Sequence, residues 1–206
     1  MCIRDSNIGS GKTSLASKIA SDFNSELILE SFSDNPFLPK FYKDPEKYSF
    51  SLELFFMSER YHQLKDKISS DLFFNNKISD YFFMKSRIFA KTNLQRDELL
   101  LFEKLFDIML ASLPAPDLLV YLHSDIKRLQ SNIRKRGRDY EQNIKDSYLE
   151  SIQEAYFDYL KKQNNSAVLI IDITNVDFVN DLDIYNEVKR LISKKYIIGS
   201  TDKIIL

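Results

Sequence analysis

The stretch S-N-I-G-S-G-K-T occupies residues 6–13. Gly9 and Gly11 let the backbone fold so that several N–H groups point at one anion. Lys12 then reaches the β and γ phosphates of a nucleotide, and the Thr13 hydroxyl is placed to ligate Mg²⁺. The helix that begins here presents its positive N-terminal end to the same phosphates. The pattern therefore predicts a nucleotide-binding phosphate loop, and the alternative interpretation is a plain glycine turn.

The residues before this loop depart from the usual pattern. The consensus G-x-x-x-x-G-K-[ST] begins with glycine, whereas this chain has Ser6. A phosphate loop normally follows a buried parallel strand, which is a run of about five apolar residues. Only residues 1–3 are apolar here, and Arg4 and Asp5 fall where the strand should end. We therefore expect the first strand to be truncated or replaced.

Composition limits the class of protein. A chain of 206 residues suits one α/β domain, and we assign residues 1–206 to a single domain. The net charge of −1, without a long basic run, argues against a nucleic-acid partner. Cys2 is the only cysteine, which excludes a disulfide framework. No apolar stretch approaches the length of a membrane span, so we expect no membrane association. A cysteine-poor chain that uses a nucleotide indicates a cytoplasmic location.

Apolar runs and helical periodicity alternate along the chain. Short apolar runs predict four strands besides the first, at 26–30, 78–80, 118–122 and 168–173. Helical spacing predicts helices at 13–23, 48–69, 96–113, 125–136, 144–163 and 181–193. This alternation is typical of an α/β fold with a parallel sheet of about five strands, flanked by helices. We interpret residues 194–206 as a surface tail.

Polar residues follow several predicted strands at the edge where such sheets bind ligands. Glu30 would accept a proton from an attacking hydroxyl, and Asp80 would either hold a metal ion through water or orient a partner. Arg134, Arg136 and Arg138 would clamp a γ-phosphate with their planar guanidinium groups. The alternatives are a helix cap or solvated turn for Glu30, and a solvated helix face for the arginines.

The whole set of motifs resembles the deoxynucleoside kinase family, especially its bacterial deoxyadenosine and deoxyguanosine kinases. The string N-P-F-L-x-x-F-Y-x-D-P, within L-E-S-F-S-D-N-P-F-L-P-K-F-Y-K-D-P at 29–45, is the most specific part. The other matching pieces are N-I-G-S-G-K-T-S at 7–14, L-E-L-F-F-M-S-E-R at 52–60, S-D-Y-F-F-M-K-S-R-I-F-A at 79–90, P-D-L-L-V-Y-L at 116–122 and R-K-R-G-R-D-Y-E at 134–141. The resemblance implies a phosphate-loop kinase fold with an arginine-bearing lid.

The resemblance also implies a role for individual residues. Glu30 matches the acid that deprotonates the nucleoside 5′-hydroxyl. Tyr42 and Glu141 match residues that bind the sugar 3′-hydroxyl. Arg136 and Arg138 belong to the lid that closes over the phosphates.

The base-binding region departs from the family pattern. Arg60 matches an arginine near the base, whereas Glu53 replaces the glutamine that reads the base. An ionised carboxylate only accepts hydrogen bonds, while an amide both donates and accepts them. A protonated Glu53, or one paired with Arg60, would still read a base edge, so the choice between purine and pyrimidine stays open.

The [DE]-R-S motif is also altered. Asp80 matches its acid, but Tyr81 stands where the arginine is expected. That arginine helps to orient the 5′-oxygen and the phosphates. Lys85 and Arg87 are the two candidates to substitute for it.

The resemblance thus implies an ATP- and Mg²⁺-dependent kinase that phosphorylates the 5′-hydroxyl of a deoxynucleoside, with deoxyadenosine or another purine favoured, and that forms a homodimer. Lys12 would act in catalysis with Glu30 and the lid arginines, and Thr13 and Asp80 would serve the metal. The ATP-binding residues would be Asn7, Ile8, Gly9, Ser10, Gly11, Lys12, Thr13, Ser14 and Arg134. Two alternatives stay open, a thymidylate-type nucleoside monophosphate kinase and a non-catalytic nucleotide-binding module.

Overall fold

The computed structural model describes residues 2–30, 35–69 and 76–206. Met1 of the predicted first strand and residues 31–34 of the most specific motif lie outside the described residues. The strands are β1 (Cys2–Asp5), β2 (Glu26–Ile28), β3 (Lys77–Ser79), β4 (Leu118–His123), β5 (Ala167–Asp172) and β6 (Thr201–Ile205). The helices are α1 (Lys12–Asp22), α2 (Leu38–Phe41), α3 (Pro45–Ser69), α4 (Met84–Asn93), α5 (Arg96–Leu110), α6 (Ile126–Arg136), α7 (Asp146–Lys162) and α8 (Leu182–Ile192).

The strands form one sheet in the order β2-β3-β1-β4-β5-β6, and every pairing is parallel. The prediction of a parallel sheet flanked by helices is confirmed. The carboxyl ends of β1, β2 and β3 lie side by side, because these strands are neighbours in the sheet. Ligands of such sheets bind beyond these ends, so the order places the loops after three strands in one site.

Strands β4 and β5 are apolar on both faces, as is usual for strands of a parallel sheet. Alternate side chains of β4 and β5 point to opposite faces. On one face Val120 and Leu169 belong to a buried cluster with residues of α1 and α8. On the other face Leu119 and Val168 belong to a cluster with residues of α4 and α7. Helices thus cover both sides of the two longest strands.

The C-terminal segment differs from the expected surface tail. Thr201–Ile205 forms β6, which pairs in parallel with β5 at one edge of the sheet. Most of its residues are exposed, but Ile204 packs against the core cluster shared by α1 and α8. The interpretation of this segment as a surface tail was wrong. An edge strand buries few of its side chains, so its sequence lacks the apolar run that identifies a central strand.

A short first strand is present in the centre of the sheet, where β1 pairs with both β3 and β4. Its last residue, Asp5, is 1% exposed and accepts a hydrogen bond from the Ser6 N–H at 2.8 Å. Burial raises the pKa of Asp5 to about 6, although the nearby Lys85 and Lys12 lower it in part. A carboxylate therefore occupies a position that usually holds an apolar side chain.

Replacement of this carboxylate should stabilise the fold. The pKa of Asp5 is higher in the folded than in the unfolded chain, so its ionisation lowers stability as pH rises from about 3.8, the ordinary pKa, to about 6. Asp5→Asn should increase the free energy of unfolding by about 3 kcal/mol near pH 8, and by about half of that near pH 5. Urea denaturation at the two pH values measures both effects.

The matched control is Asp158→Asn, which changes an exposed carboxylate on α7. It should alter the free energy of unfolding by less than about 0.5 kcal/mol. An Asp5→Asn variant that is no more stable than the parent chain near pH 8 would contradict the buried position of Asp5.

Candidate active site

The phosphate loop, residues 6–11, connects β1 to α1, and its two glycines adopt left-handed backbone conformations. The φ angles are 83° at Gly9 and 84° at Gly11. A Cβ atom on Gly9 would lie 2.9 Å from the backbone oxygen of Leu129, and one on Gly11 would lie 3.0 Å from the Phe178 ring. Both positions therefore require glycine for backbone conformation and for space.

The serine in place of the first glycine is accommodated inside the loop. The Ser6 and Ser10 hydroxyls are hydrogen-bonded to each other, and both side chains are buried. The Asn7 amide donates to the Leu149 carbonyl at 2.7 Å, which fastens the loop to α7. These buried contacts give Ser6, Asn7 and Ser10 positions within the loop framework, whereas Ser14 is exposed on α1.

Two side chains at the start of α1 point toward the loop and the end of β3. Lys12 Nζ donates to the carbonyl oxygens of Ser6 at 3.3 Å and Asn7 at 2.9 Å. Burial lowers the pKa of Lys12 to about 8, with a further contribution from Lys85. Thr13 Oγ1 donates to Asp80 Oδ2 at 2.6 Å. The hydroxyl and carboxylate that the sequence assigns to a metal are thus in direct contact.

Asp80 also joins the phosphate loop to the predicted base. Its Oδ1 accepts a hydrogen bond from the Glu30 backbone N–H at 2.8 Å, while its Oδ2 accepts from Thr13. Because β2 and β3 are adjacent, the residues that follow them meet at this point. Glu30, Asp80 and Lys12 consequently line one cavity.

The Glu30 carboxylate is held by two cations. Its Oε1 accepts from Arg60 Nε at 2.8 Å and Nη2 at 2.5 Å, and its Oε2 accepts from Lys85 Nζ at 2.5 Å. Burial alone would raise the pKa of Glu30, but the charges and hydrogen bonds of Lys85 and Arg60 hold it well below its usual range. Glu30 is therefore ionised at neutral pH.

The structure distinguishes the two substitutes for the missing arginine. Lys85 reaches Glu30, whereas Arg87 pairs with Glu103 and, at 3.4 Å, with Asp107 on α5. Tyr81, at the position of the motif arginine, is fully buried. A lysine four residues further along the chain, in the first turn of α4, thus supplies a charge next to Glu30.

Arg60 has a different neighbour from the one that the resemblance implied. Besides its two bonds to Glu30, it donates from Nη1 to the Ser86 hydroxyl at 2.8 Å. Its guanidinium carbon lies 4.7 Å from the centre of the Phe56 ring. Arg60 also lines the cavity, so its expected position near the base stays a prediction beside its ion pair with Glu30.

The lid arginines meet the predicted sugar-binding glutamate. Arg136 and Arg138 both donate to Glu141, the latter from Nη1 to Oε1 at 3.2 Å. Glu141 is 4% exposed, and Gly137 ends α6 between the two arginines in a left-handed conformation. Arg134 is exposed on α6 and does not line the cavity, so the structure does not bring it to the site.

The rest of the cavity wall is mostly apolar. Tyr42 lines the cavity, with its ring stacked on that of Tyr140 at a centroid distance of 6.0 Å. The sequence analysis had named none of the remaining apolar lining residues, which are Leu38, Phe41, Leu52, Phe56, Phe89 and Tyr148. Most lie in the strings that carried the resemblance, but composition alone does not show which aromatic residues face a cavity.

Glu53 lies at the cavity wall and is 1% exposed. Its Oε1 accepts from the Asn93 amide at 2.7 Å, and its Oε2 has no hydrogen-bond partner among the described residues. Burial raises the pKa of Glu53 to about 7, although Asn93 and Arg60 lower it in part. No ion pair joins it to Arg60, which donates to Glu30 and Ser86 instead.

Known proteins are similar to this chain in sequence and in architecture. A family model described as deoxynucleoside kinase matches residues 1–198. A deoxyguanosine kinase of Bacillus subtilis is 36% identical over 179 residues, which cover 84% of this chain and 86% of that protein. A deoxyadenosine kinase of Lactobacillus acidophilus is 29% identical over 203 residues, which cover 91% of this chain and 92% of that protein. The chain belongs to the deoxynucleoside kinase family.

The fold of this deoxynucleoside kinase is also found in solved structures. A deoxyadenosine kinase from M. mycoides with bound dCTP superposes with a TM-score of 0.77 at 23% identity. The match covers 94% of this chain and 100% of that one. The resemblance stated from the motifs and the phosphate-loop kinase fold are both confirmed. Deoxynucleoside kinases are ATP-dependent phosphotransferases, so the expected class of enzyme is confirmed as well.

The described residues meet neither the requirements of a polydentate metal site nor those of a membrane-spanning helix. Within residues 2–30, 35–69 and 76–206, no group of three or more His, Cys, Asp or Glu side chains is arranged to hold a metal ion. No helix in the described part of this kinase is both long and apolar enough to cross a membrane.

The pairing of Lys85 with Glu30 predicts that replacement of Lys85 lowers the stability of the fold more than replacement of Arg87 does. Lys85→Met should lower the free energy of unfolding by about 3 kcal/mol, because a buried carboxylate loses one of its two cations. Arg87→Met breaks an ion pair that is more exposed, so it should cost less than half as much. Urea denaturation of both variants at neutral pH provides the comparison. Equal losses would contradict the assignment of Lys85 to Glu30.

Proposed function

We propose that this chain transfers the γ-phosphoryl group of ATP to the 5′-hydroxyl of a purine deoxynucleoside. The observation that carries the proposal is the double contact of Asp80, which binds the Glu30 backbone and the Thr13 hydroxyl. This contact puts the candidate base beside the phosphate loop and within one cavity. Phosphoryl transfer depends mainly on positioning and on charge stabilisation, and the cavity wall supplies groups for both.

The donor triphosphate would bind at the phosphate loop. The loop N–H groups and the N-terminus of α1 attract its oxygens, and Lys12 would exchange its two carbonyl contacts for the β and γ phosphates. We also assign Asn7, Ile8, Gly9, Ser10, Gly11 and Ser14, in or next to this loop, to the binding of the nucleotide.

Magnesium fits the same place. Thr13 and Asp80 present a hydroxyl and a carboxylate oxygen 2.6 Å apart at the mouth of the loop. Mg²⁺ prefers oxygen ligands and usually takes one or two from the protein, with the rest from phosphates and water. Thr13 and Asp80 would hold the ion, which would neutralise charge on the phosphates during transfer.

Glu30 would orient and deprotonate the acceptor. Its ionised carboxylate accepts a hydrogen bond from the 5′-hydroxyl and takes the proton as the new P–O bond forms. Arg60 and Lys85 hold the carboxylate in a single orientation and keep it ionised. Their charges are already balanced in part by Glu30, which disfavours the alternative of a nucleoside monophosphate kinase, since such an enzyme needs free cations for the acceptor phosphate.

The sugar and the transferring group would meet at the lid. Glu141 and Tyr42 would bind the 3′-hydroxyl, and a nucleoside without this group would leave them unpaired. Arg136 and Arg138, which donate to Glu141, would steady the γ-phosphate when ATP is bound. Sugar binding and lid position are coupled through this one carboxylate.

The assembly and location of the enzyme are further parts of the proposal. Helix α5 carries Leu100 at 63% and Ile108 at 72% exposure, and these side chains support burial of long helices in a homodimer. Use of ATP favours the cytoplasm. We assign no role to nucleic acid, because the net charge is −1.

Loss of the carboxylate should abolish most of the activity. Glu30→Ala is expected to lower turnover of ATP with a purine deoxynucleoside by at least about 100-fold, the usual scale for a general base. The exposed Glu150→Ala on α7 is the matched control and should keep normal turnover.

Steady-state kinetics and calorimetric titration of ATP separate the alternatives. Near-normal turnover of Glu30→Ala would contradict the proposed mechanism. ATP binding without turnover of any deoxynucleoside in the parent chain would favour the non-catalytic module. Faster turnover of thymidine monophosphate than of deoxynucleosides would favour the nucleoside monophosphate kinase.

A further inference from the structure

Glu53 is a buried carboxyl group that the proposed mechanism leaves without a task. It lies on α3 and faces the cavity, with one oxygen bound to Asn93 at the end of α4. Its other oxygen has no hydrogen-bond partner in the described part of the chain. A buried carboxyl oxygen without a partner is costly, so a ligand that donates a hydrogen bond to it would gain from its position.

The charged groups around Glu53 are committed elsewhere. Arg60, on the same helix, donates from Nε and Nη2 to Glu30 and from Nη1 to Ser86, and makes no hydrogen bond to Glu53. Lys85, on α4, is bound to Glu30, and its charge reaches Glu53 only at longer range. Tyr148, on α7, is the other titratable side chain that faces it. The second oxygen of Glu53 is therefore available to a bound molecule.

The surrounding walls suit a flat base. The cavity beside Glu53 is lined by the rings of Phe41, Phe56, Phe89 and Tyr148. Aromatic faces stack favourably on bases of any sequence, so they supply affinity without selecting one base. Selection then depends on the few polar groups in the wall, and Glu53 is among them.

We propose that Glu53 reads the base and that its ionised carboxylate selects guanine over adenine. The inference rests on the proposed function, since it concerns the acceptor nucleoside. Guanine carries two adjacent donors on one edge, N1–H and the N2 amino group. A carboxylate offers two acceptor oxygens and no donor, so it matches this edge with two parallel hydrogen bonds.

The other bases do not match an ionised carboxylate in this way. Adenine and cytosine each present a ring-nitrogen acceptor beside an amino donor, so one carboxylate oxygen would face a lone pair. Thymine has a single donor between two carbonyl acceptors. A glutamine at this position, with one acceptor and one donor, would complement the adenine edge instead. An ionised Glu53 therefore distinguishes the two purines.

The protonation of Glu53 predicts a base preference that depends on pH, which a purely structural role of Glu53 would not produce. When protonated, the carboxyl group has one donor and one acceptor, which suits adenine. Burial raises its pKa to about 7, so the ionised fraction increases through neutral pH. The ratio of kcat/KM for deoxyguanosine to that for deoxyadenosine should increase over the same range. Effects of pH that both substrates share, such as those of Lys12, cancel in this ratio.

The test measures this ratio for the parent chain, Glu53→Gln and Glu53→Asp near pH 6 and near pH 8.5. The parent chain should prefer deoxyguanosine by at least about tenfold near pH 8.5, the scale of one good bidentate base contact, and by less near pH 6. Glu53→Gln keeps the acceptor for Asn93, and its ratio should fall at least about tenfold and become independent of pH. Glu53→Asp keeps the charge but not the reach, so its kcat/KM for deoxyguanosine should fall without a gain for deoxyadenosine.

Calorimetric titration of both nucleosides separates this inference from the proposed function. If no variant turns over any nucleoside, the proposed function fails, and the ratio of the two Kd values then tests Glu53 by itself. An active parent chain whose ratio is the same in Glu53→Gln, and flat with pH, would overturn the inference. A parent chain that prefers deoxyadenosine near pH 8.5 would overturn it as well.

Discussion

The arrangement of the site depends on the ion pairs of the largely buried Glu30 carboxylate with Arg60 and Lys85. A carboxylate removed from water needs compensating charge, and two elements supply it, α3 through Arg60 and α4 through Lys85. These bonds bring both helices against the end of β2. Asp80 then connects this cluster to Thr13 and the phosphate loop. Sheet, helices and loop therefore meet around one negative charge.

The parallel sheet makes this meeting possible. The order β2-β3-β1 places the ends of three strands side by side, so Glu30, Asp80 and the phosphate loop share one edge although they are distant in sequence. The long apolar strands β4 and β5 provide the rigid core behind them. One face of that core holds α1, and the other holds α4 and α7, which contribute Lys85 and the cavity wall.

The sequence predicted the features whose signals are local. The phosphate loop depends on Gly9 and Gly11, and β4 and β5 are continuous apolar runs, so each could be identified without its neighbours. Helices α2 and α4 and strand β6 were missed. Helix α2 has only four residues, α4 has few apolar residues at helical spacing, and β6 is mostly exposed. The sequence also could not predict which charged side chains form ion pairs. The pairing of Arg60 with Glu30, and of Lys85 rather than Arg87 with the same carboxylate, depends on how two helices pack in space.

The most direct test of this account is a crystal structure of the chain with a non-hydrolysable ATP analogue, Mg²⁺ and deoxyguanosine. The account predicts that the sugar 5′-oxygen lies within hydrogen-bond distance of the Glu30 carboxylate, about 2.6–3.2 Å, and faces the γ-phosphate above Lys12. Glu30 still bound by Arg60 and Lys85, but with the nucleoside sugar at a different wall of the cavity, would contradict it.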